Sequence, residues 1–202
     1  MNKINVVFLD IGGVLLSDGW NHSSRMQAIE KYSLEPIQFQ KDHSVAFPLF
    51  ENGKLTLDQY LDSVVFSKAR QFSKDDFKEF MFSKSTQLPE FLPWLVEWKH
   101  KHNIKIFSIN NEGKEFNDYR IKQFNLHQCF DAFISSCEVG FSKPDPSIFK
   151  LALGIAQEEA QHCMYFDDRA IHVAIAKQMG INAYVHQDFK ESKLILESII
   201  KS

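Results

Sequence analysis

The feature that most constrains the fold is a regular alternation of helix-like and strand-like segments after Pro89. Helical patterns occupy about 91–102, 113–125, 146–156, 171–179 and 190–200, and short apolar runs lie between them at 104–109, 132–135, 163–166 and 181–185. Such alternation implies right-handed crossovers and a parallel sheet with helices on both faces. An earlier β-branched run, Ile4–Leu9, ends at Asp10 and favours one more buried parallel strand. The sequence therefore predicts an α/β fold with about five strands.

The stretch from about residue 17 to 88 carries helix signals and almost no strand pattern. Thr56 and Ser73 are typical N-cap residues, and each precedes apolar residues at helical spacing. Two further helices are expected before and after Glu35-Pro36. Because this block separates the first strand from the others, we predict that residues 17–88 are an inserted helical cap domain. Residues 1–16 and 89–202 then form the core domain.

Charge and composition exclude several classes of function. The net charge is −3 and the basic residues are scattered, which argues against nucleic-acid and membrane partners. No apolar stretch reaches the roughly 18–20 residues of a membrane span. The N-terminus reaches Asp10 too soon for a signal peptide, and three cysteines without C-x-x-C spacing indicate reduced thiols. We therefore expect a cytoplasmic protein that is a monomer or a weak homodimer.

Polar side chains stand where the predicted strands end, and ligands of open parallel sheets bind at that edge. The residues in question are Asp10, Ser108–Asn111, Lys143 and Asp167–Arg169. Grouped carboxylates repel one another unless a cation lies among them, and an all-oxygen set suits Mg²⁺. A lysine beside them offers charge to an anion, and a strand-end aspartate in such a field can attack phosphorus.

Four segments together resemble the motifs of the haloacid dehalogenase superfamily, which includes phosphohydrolases with an aspartate nucleophile. The matching segments, in family order and spacing, are Phe8–Leu15, Ile106–Asn111, Ser142–Pro144 and Phe166–Arg169. The helical block lies where members with a small helical cap insert it. The resemblance covers residues 4–18 and 89–190. It implies a Rossmann-like core and a Mg²⁺-dependent phosphatase, similar to sugar-1-phosphate phosphatases, that hydrolyses a small phosphorylated metabolite through an aspartyl-phosphate.

The resemblance also implies roles for the matching residues. Asp10 is then the nucleophile and a Mg²⁺ ligand, and the backbone carbonyl of Gly12 is another ligand. Asp168 binds the metal directly, whereas Asp167 binds it directly or through water. Lys143 neutralises both the phosphate and the nucleophile. A phosphorylated sugar is the first candidate substrate.

The second motif departs from the family pattern, which ends in Ser or Thr followed by Asn. With Asn111 as the phosphate-holding Asn, Asn110 stands at the hydroxyl position. Ser108, two residues earlier on the same face of the strand, is the alternative. We prefer Asn110, because an amide can donate a hydrogen bond to phosphate as a hydroxyl does. His172 also departs from the pattern, and it is expected to pack or lie on the surface rather than to bind metal.

A second departure is Gly12, where phosphatases of this family usually carry the aspartate that acts as general acid and base. General acid–base help is worth about 10²–10⁴ in rate. Together with Asn110, this departure leaves open a weak or inactive relative that binds phosphate ligands in a regulatory role. A haloacid dehalogenase, which also uses an aspartate nucleophile, is the other alternative. The paired Asp167-Asp168 argues for a metal and therefore against the dehalogenase.

The cap offers candidate substrate contacts, although each of these side chains is also compatible with a purely structural role. They are Trp20, His22, Arg25, His43 and Phe47. Arg169 is open between pairing with a carboxylate and lying exposed. Because cap closure excludes water and adds specificity contacts in enzymes of this kind, these positions are where selectivity is expected.

Overall fold

The computed structural model describes residues 3–200, and its centre is a single parallel sheet. The strands are β1 (Val6–Leu9), β2 (Lys105–Asn110), β3 (Ala132–Ser135), β4 (Cys163–Asp167) and β5 (Asn182–Val185). Their order across the sheet is β3-β2-β1-β4-β5, and every neighbouring pair is parallel. The predicted α/β fold is therefore confirmed, with β1 at the centre of the sheet.

Ten α-helices lie in the described part of the chain. Four follow β1, namely α1 (His22–Lys31), α2 (Pro36–Glu51), α3 (Leu57–Val64) and α4 (Lys74–Phe82). The others are α5 (Phe91–His102), α6 (Lys114–Gln123), α7 (Ser136–Val139), α8 (Pro146–Ala156), α9 (Ala170–Gln178) and α10 (Phe189–Ser198). Short 3₁₀ turns occupy Leu126–Gln128 and Ala160–His162.

Local sequence explains where the inserted helices begin. Asn21 accepts a hydrogen bond from the backbone of Ser24 at the start of α1. Thr56 and Ser73 are N-caps, as the sequence predicts, and each also forms a capping box with the third residue of the following helix. The α2 helix starts at Pro36, where a missing N–H costs nothing.

The sheet is buried on both faces, because alternate residues of each strand point in opposite directions. Val7 and Leu9 pack against α5 and α10, whereas Val6 and Phe8 pack against α8 and α9. This explains why β1 reads as a continuous apolar run. All four of its residues are fully buried, as a central parallel strand requires.

The four inserted helices share an aromatic core of their own. It includes Trp20, Phe39, Tyr60 and Phe77, and it also contacts Phe116 of α6. The two connections to the sheet pair with each other at Leu16 and Gln87, next to the predicted boundaries. The division into a core and a cap remains a prediction, and residues 1, 2, 201 and 202 of the predicted core lie outside the described range.

Several element boundaries differ from the predicted ones. The β1 strand begins at Val6 rather than Ile4. Val6 pairs with the first residues of β2 and β4, so the ladders with both neighbouring strands start at this residue. The α6 helix ends at Gln123, and α7 was not predicted, since four residues are too few for a periodic pattern. The three cysteines are free thiols. Within residues 3–200, no helix is long and apolar enough to span a membrane.

Candidate active site

Three carboxylates meet at the ends of the adjacent strands β1 and β4. Asp10 directly follows β1, Asp167 is the last residue of β4, and Asp168 comes next. One carboxylate oxygen of each lies within 4.8 Å of the others. Burial raises the pKa of Asp10, and the nearby charge of Asp167 adds to this effect. Burial and the charges of Asp10 and Asp167 raise the pKa of Asp168 to about 6.

Lys143 is the cation that offsets this negative charge. Its Nζ lies 2.7 Å from Asp167 Oδ2 and 3.1 Å from Asp10 Oδ2, and its side chain is almost fully buried. Burial opposes ionisation of Asp167, but the Lys143 ammonium and the His172 ring hold its pKa well below the ordinary value. The site therefore keeps at least one buried carboxylate ionised.

Asp167 is enclosed by hydrogen-bond donors and does not border the open cavity at the strand ends. Besides Lys143, its oxygens accept hydrogen bonds from the Tyr165 hydroxyl and from the backbone N–H of Arg169, which lies 2.8 Å away. The Nδ1 atom of His172 lies 3.0 Å from Asp167 Oδ2, and His172 itself is buried. His172 thus packs, as expected, and its contact is with this carboxylate. Arg169 is exposed, with its side chain at the cavity.

The end of β2 brings the predicted phosphate-binding residues to the site in different ways. Asn111 donates to the Lys143 carbonyl and accepts from the Lys143 N–H, both at 2.8 Å, so its side chain fixes the lysine loop. Asn110 borders the cavity and donates to Asn117 Oδ1 at 3.1 Å. Ser108 is fully buried, donates to Asn110 Oδ1 and does not border the cavity. Of the two candidates, Asn110 is therefore the one within reach of a ligand.

The two glycines after Asp10 differ in what they allow. Gly13 has φ +69°, and a Cβ there would lie 2.5 Å from Asp168 Oδ2, so only glycine fits beside this carboxylate. Gly12 borders the cavity, and a Cβ there would meet its nearest atom, Asp18 Oδ1, at an ordinary 3.7 Å. The space at position 12 would therefore admit the aspartate side chain that the family usually has there.

A cavity of about 620 Å³ separates the strand ends from α1 and α2. All five candidate cap residues border it, namely Trp20, His22, Arg25, His43 and Phe47. Tyr60 holds two of them, since it accepts from Trp20 Nε1 at 2.9 Å and lies 2.8 Å from His43 Nδ1. Arg25 donates to the Trp20 carbonyl. Burial and the Arg25 charge lower the pKa of His43 to about 4, so this ring is neutral.

Five polar residues that line the cavity were not predicted from the sequence. They are Asp18, Asn21, Glu51, Glu112 and Arg120. Arg120 and Glu112 form a buried ion pair at 2.5 Å. Glu51 is a half-buried carboxyl whose pKa burial and the charge of Glu112 raise to about 7. No local sequence signal marks these positions, because polar residues near helix ends usually face solvent.

The donor set at the strand ends fits a small divalent cation. One oxygen of each carboxylate lies within 4.8 Å of the other two. Burial raises the pKa values of Asp10 and Asp168, and the neighbouring carboxylate charges add to this effect. An all-oxygen set of this kind suits Mg²⁺. Asp10 and Asp168 border the cavity, whereas the oxygens of Asp167 are already engaged.

Sequence comparison assigns the chain to a family. Residues 4–180 match the haloacid dehalogenase-like hydrolase family, and the chain therefore belongs to it. A curated relative, the D-ribitol-5-phosphate phosphatase of Bacteroides thetaiotaomicron, is 23% identical over 217 residues and 98% of both chains. The bifunctional epoxide hydrolase 2 of Sus scrofa is 33% identical over 74 residues, which is 37% of this chain and only 13% of that protein.

Solved structures show the same fold at low sequence identity. A haloacid dehalogenase family enzyme of Bacteroides thetaiotaomicron has a TM-score of 0.80 at 20% identity, covering 96% of this chain and 99% of its own. A structure of that enzyme with magnesium and inorganic phosphate has a TM-score of 0.76 at 20% identity, covering 93% and 98%. An L-2-haloacid dehalogenase of Xanthobacter autotrophicus has a TM-score of 0.62 at 14% identity, covering 89% and 76%.

Proposed function

We propose that this hydrolase is a Mg²⁺-dependent phosphatase that forms an aspartyl-phosphate on Asp10. The observation that carries the proposal is the pairing of Asp10 with Lys143, at 3.1 Å, at the floor of the cavity beside two further carboxylates. A nucleophilic carboxylate, a buried cation and a cation-binding carboxylate set are the groups that phosphoryl transfer requires.

The donor set assigns different tasks to the carboxylates. Asp10, Asp168 and the Gly12 carbonyl would hold Mg²⁺ directly, because these residues border the cavity. Asp167 would act through water or by fixing Lys143, because its oxygens already accept several hydrogen bonds. The bound ion supplies positive charge to the phosphate oxygens.

The remaining side chains of the floor bind and orient the phosphate. The Lys143 ammonium offsets charge on the phosphate and on Asp10, and Asn111 fixes the lysine loop on both sides of its peptide. Asn110 would donate to a phosphate oxygen with its second amide hydrogen, since the first is used by Asn117.

The substrate class we propose is a small phosphorylated sugar or polyol. The cavity of about 620 Å³ admits a small metabolite. Its roof combines apolar rings of Trp20 and Phe47 with polar groups of His22 and Arg25, and such a mixture suits carbon-bound hydroxyls. The similarity to a ribitol-phosphate phosphatase supports this class. The proposed partners are thus small molecules, and the monomer or weak homodimer remains an expectation.

The test is release of phosphate from an aryl phosphate with and without Mg²⁺, for the unmodified protein and for Asp10→Asn. We expect turnover that requires Mg²⁺ and falls to background in Asp10→Asn, because an amide cannot form the aspartyl-phosphate. A panel of sugar, polyol, nucleotide and amino-acid phosphates then ranks the substrates. Equal rates in the two proteins would contradict the proposal and favour the phosphate-binding relative.

A haloacid dehalogenase is the second candidate, favoured by the structural likeness to such enzymes. The three carboxylates within 4.8 Å of one another argue against it. Such a cluster needs a cation to relieve its repulsion, whereas dehalogenation by an aspartate uses no metal. Chloride release from 2-chloropropionate without Mg²⁺ would support this second reading.

A further inference from the structure

Hydrolysis of a phosphate ester through Asp10 leaves a need for proton transfer that the floor of the site does not meet. The leaving oxygen needs a proton, and the water that attacks the aspartyl-phosphate must lose one. Residue 12 is glycine, and Glu112 is tied to Arg120. The carboxyls of the cavity wall that are left for this work are Asp18 and Glu51.

The end of α2 that carries Glu51 is locked onto the strand-end loops. The Glu51 carbonyl accepts a 2.6 Å hydrogen bond from Ser136 Oγ, which in turn accepts from the Glu112 N–H at 3.0 Å. On one side of it, the Phe50 ring fills the space where Gly113 would carry a Cβ, 2.1 Å from the nearest ring atom. On the other side, Gly53 presses against the backbone of Cys137. Glu51 is therefore fixed in the cavity wall beside the loop that follows β2.

The side chain of Glu51 lies near several charged groups. Within residues 3–200, no hydrogen bond or ion pair engages its carboxylate. The charges that act on it come from Glu112 after β2, Arg169 after β4, Lys143 in the loop before α8 and Arg25 of α1. Burial and Glu112 raise its pKa, and the three cations only partly offset them, so the value is about 7. Both protonation states are thus available near neutral pH.

We propose that Glu51 is the general acid and base of this phosphatase, an inference that depends on the proposed function. In the first step, an Asp10 oxygen bonds to phosphorus as the ester P–O bond breaks. The Glu51 proton then passes to the leaving oxygen and an alcohol departs. In the second step, Glu51 takes a proton from water, whose oxygen bonds to phosphorus as the Asp10–phosphorus bond breaks. Inorganic phosphate leaves and Glu51 is protonated again.

Asp18 is the rival, because its Oδ1 lies 3.7 Å from the position of a Cβ at residue 12. It differs from Glu51 in being exposed and in lying in the connection between Leu16 and α1. Its exposure makes it the weaker candidate, because a general acid must be held close to the leaving oxygen. The experiment therefore compares Glu51→Gln with Asp18→Asn, and uses Glu30→Gln on the exposed face of α1 as the matched control.

Each protein is assayed with Mg²⁺ on glycerol 3-phosphate, which has a poor leaving group, and on p-nitrophenyl phosphate, which has a good one. For Glu51→Gln we expect kcat on the alkyl ester to fall about 10²–10⁴-fold, the usual range for a lost general acid–base group. On the aryl ester we expect a stoichiometric burst of nitrophenol followed by slow turnover, because the phosphoenzyme forms but hydrolyses slowly. Acid quenching should trap that phosphoenzyme. Glu51→Asp should recover part of the alkyl-ester rate.

The pH profile gives a readout that a merely structural role would not change. In the unmodified enzyme, kcat on the alkyl ester should fall as pH rises through about 7, and this limb should be absent in Glu51→Gln. The variant should fold, because a neutral amide replaces a carboxyl whose ionisation burial opposes. Alkyl-ester turnover within twofold of Glu30→Gln, or a loss confined to Asp18→Asn, would overturn the assignment. An unmodified protein inactive on both esters would instead contradict the proposed function itself.

Discussion

Single residues decide how closely the inserted helices approach the site. Gly113 is the N-cap of α6, and the Phe50 ring at the end of α2 occupies the space that a side chain at this position would need. The contact fixes Glu51, the next residue, beside the loop after β2. The absence of a side chain at Gly113 thus allows an aromatic residue of α2 to pack directly against the start of α6.

We therefore expect Gly113→Ala to lower the free energy of unfolding by roughly 1–3 kcal/mol, the usual cost of overpacking. The new Cβ would lie 2.1 Å from the Phe50 ring, so the ring or the helix must move. Gly154→Ala in α8 is the matched control, because nothing lies within 4 Å of its Cβ. The control should gain up to about 1 kcal/mol from helix propensity. Urea unfolding measures both, and equal effects would contradict the packing argument.

At the scale of elements, α6 links the connection between β1 and α1 to the loop that follows β2. Arg120 of α6 pairs with Glu112 at 2.5 Å and donates to the Ser17 carbonyl at 2.5 Å. One buried guanidinium therefore holds the loop after β2 and the connection that leads from β1 into α1. The desolvation of Glu112 raises its pKa, and Arg120 counters that effect.

Arg120→Met should lower the free energy of unfolding by about 3–5 kcal/mol, because it leaves the buried Glu112 carboxylate without its partner. Surface ion pairs of the same helix provide the control. Lys114 lies 2.9 Å from Asp118 and 2.7 Å from Glu138, and all three side chains are about half exposed, so Lys114→Met should cost at most about 1 kcal/mol. Denaturant unfolding of the two variants tests this contrast. Equal losses would mean that Arg120 contributes no more than a surface lysine.

At the scale of the whole molecule, the parallel sheet gathers negative charge at one edge. Asp10, Asp167 and Asp168 come from two places far apart in the chain, and Lys143 offsets their charge only in part. Burial raises the pKa values of Asp10 and Asp168, and the charges of neighbouring carboxylates add to this effect. A bound divalent cation would relieve this repulsion and so stabilise the folded protein.

Mg²⁺ should therefore raise the thermal unfolding midpoint at pH 7.5, at which Asp168 is ionised. Ligand linkage gives about 2.7 kcal/mol when free Mg²⁺ is about 100 times its dissociation constant. Asp168→Asn should lose most of this shift while keeping its metal-free midpoint or raising it, since one repelling charge is gone. NaCl at matched ionic strength is the control. A Mg²⁺ shift unchanged in Asp168→Asn would contradict the assigned ligand.

Much of the fold was predictable from the sequence alone, because its signals are local. Apolar runs and helical spacing predicted the five strands and the helices around them, and β3, α5 and α8 have the predicted bounds. Thr56 and Ser73 predicted the starts of α3 and α4 because N-caps act on the next turn of backbone. The family motifs likewise indicated Asp10, Lys143 and Asp168 as site residues.

Only the tertiary structure decided how residues distant in sequence share the site. Asn111 fixes the Lys143 loop, and Asp167 is enclosed by four donors. Glu51 lies in the cavity wall because Ser136 binds its carbonyl and the neighbouring Phe50 packs on Gly113. The physical reason is that burial and pairing depend on which surfaces meet, and a carboxyl in a helix pattern looks the same whether it faces water or a cavity. The sequence thus determined the sheet, the inserted helices and the strand-end residues, while packing alone determined which of them reach a ligand.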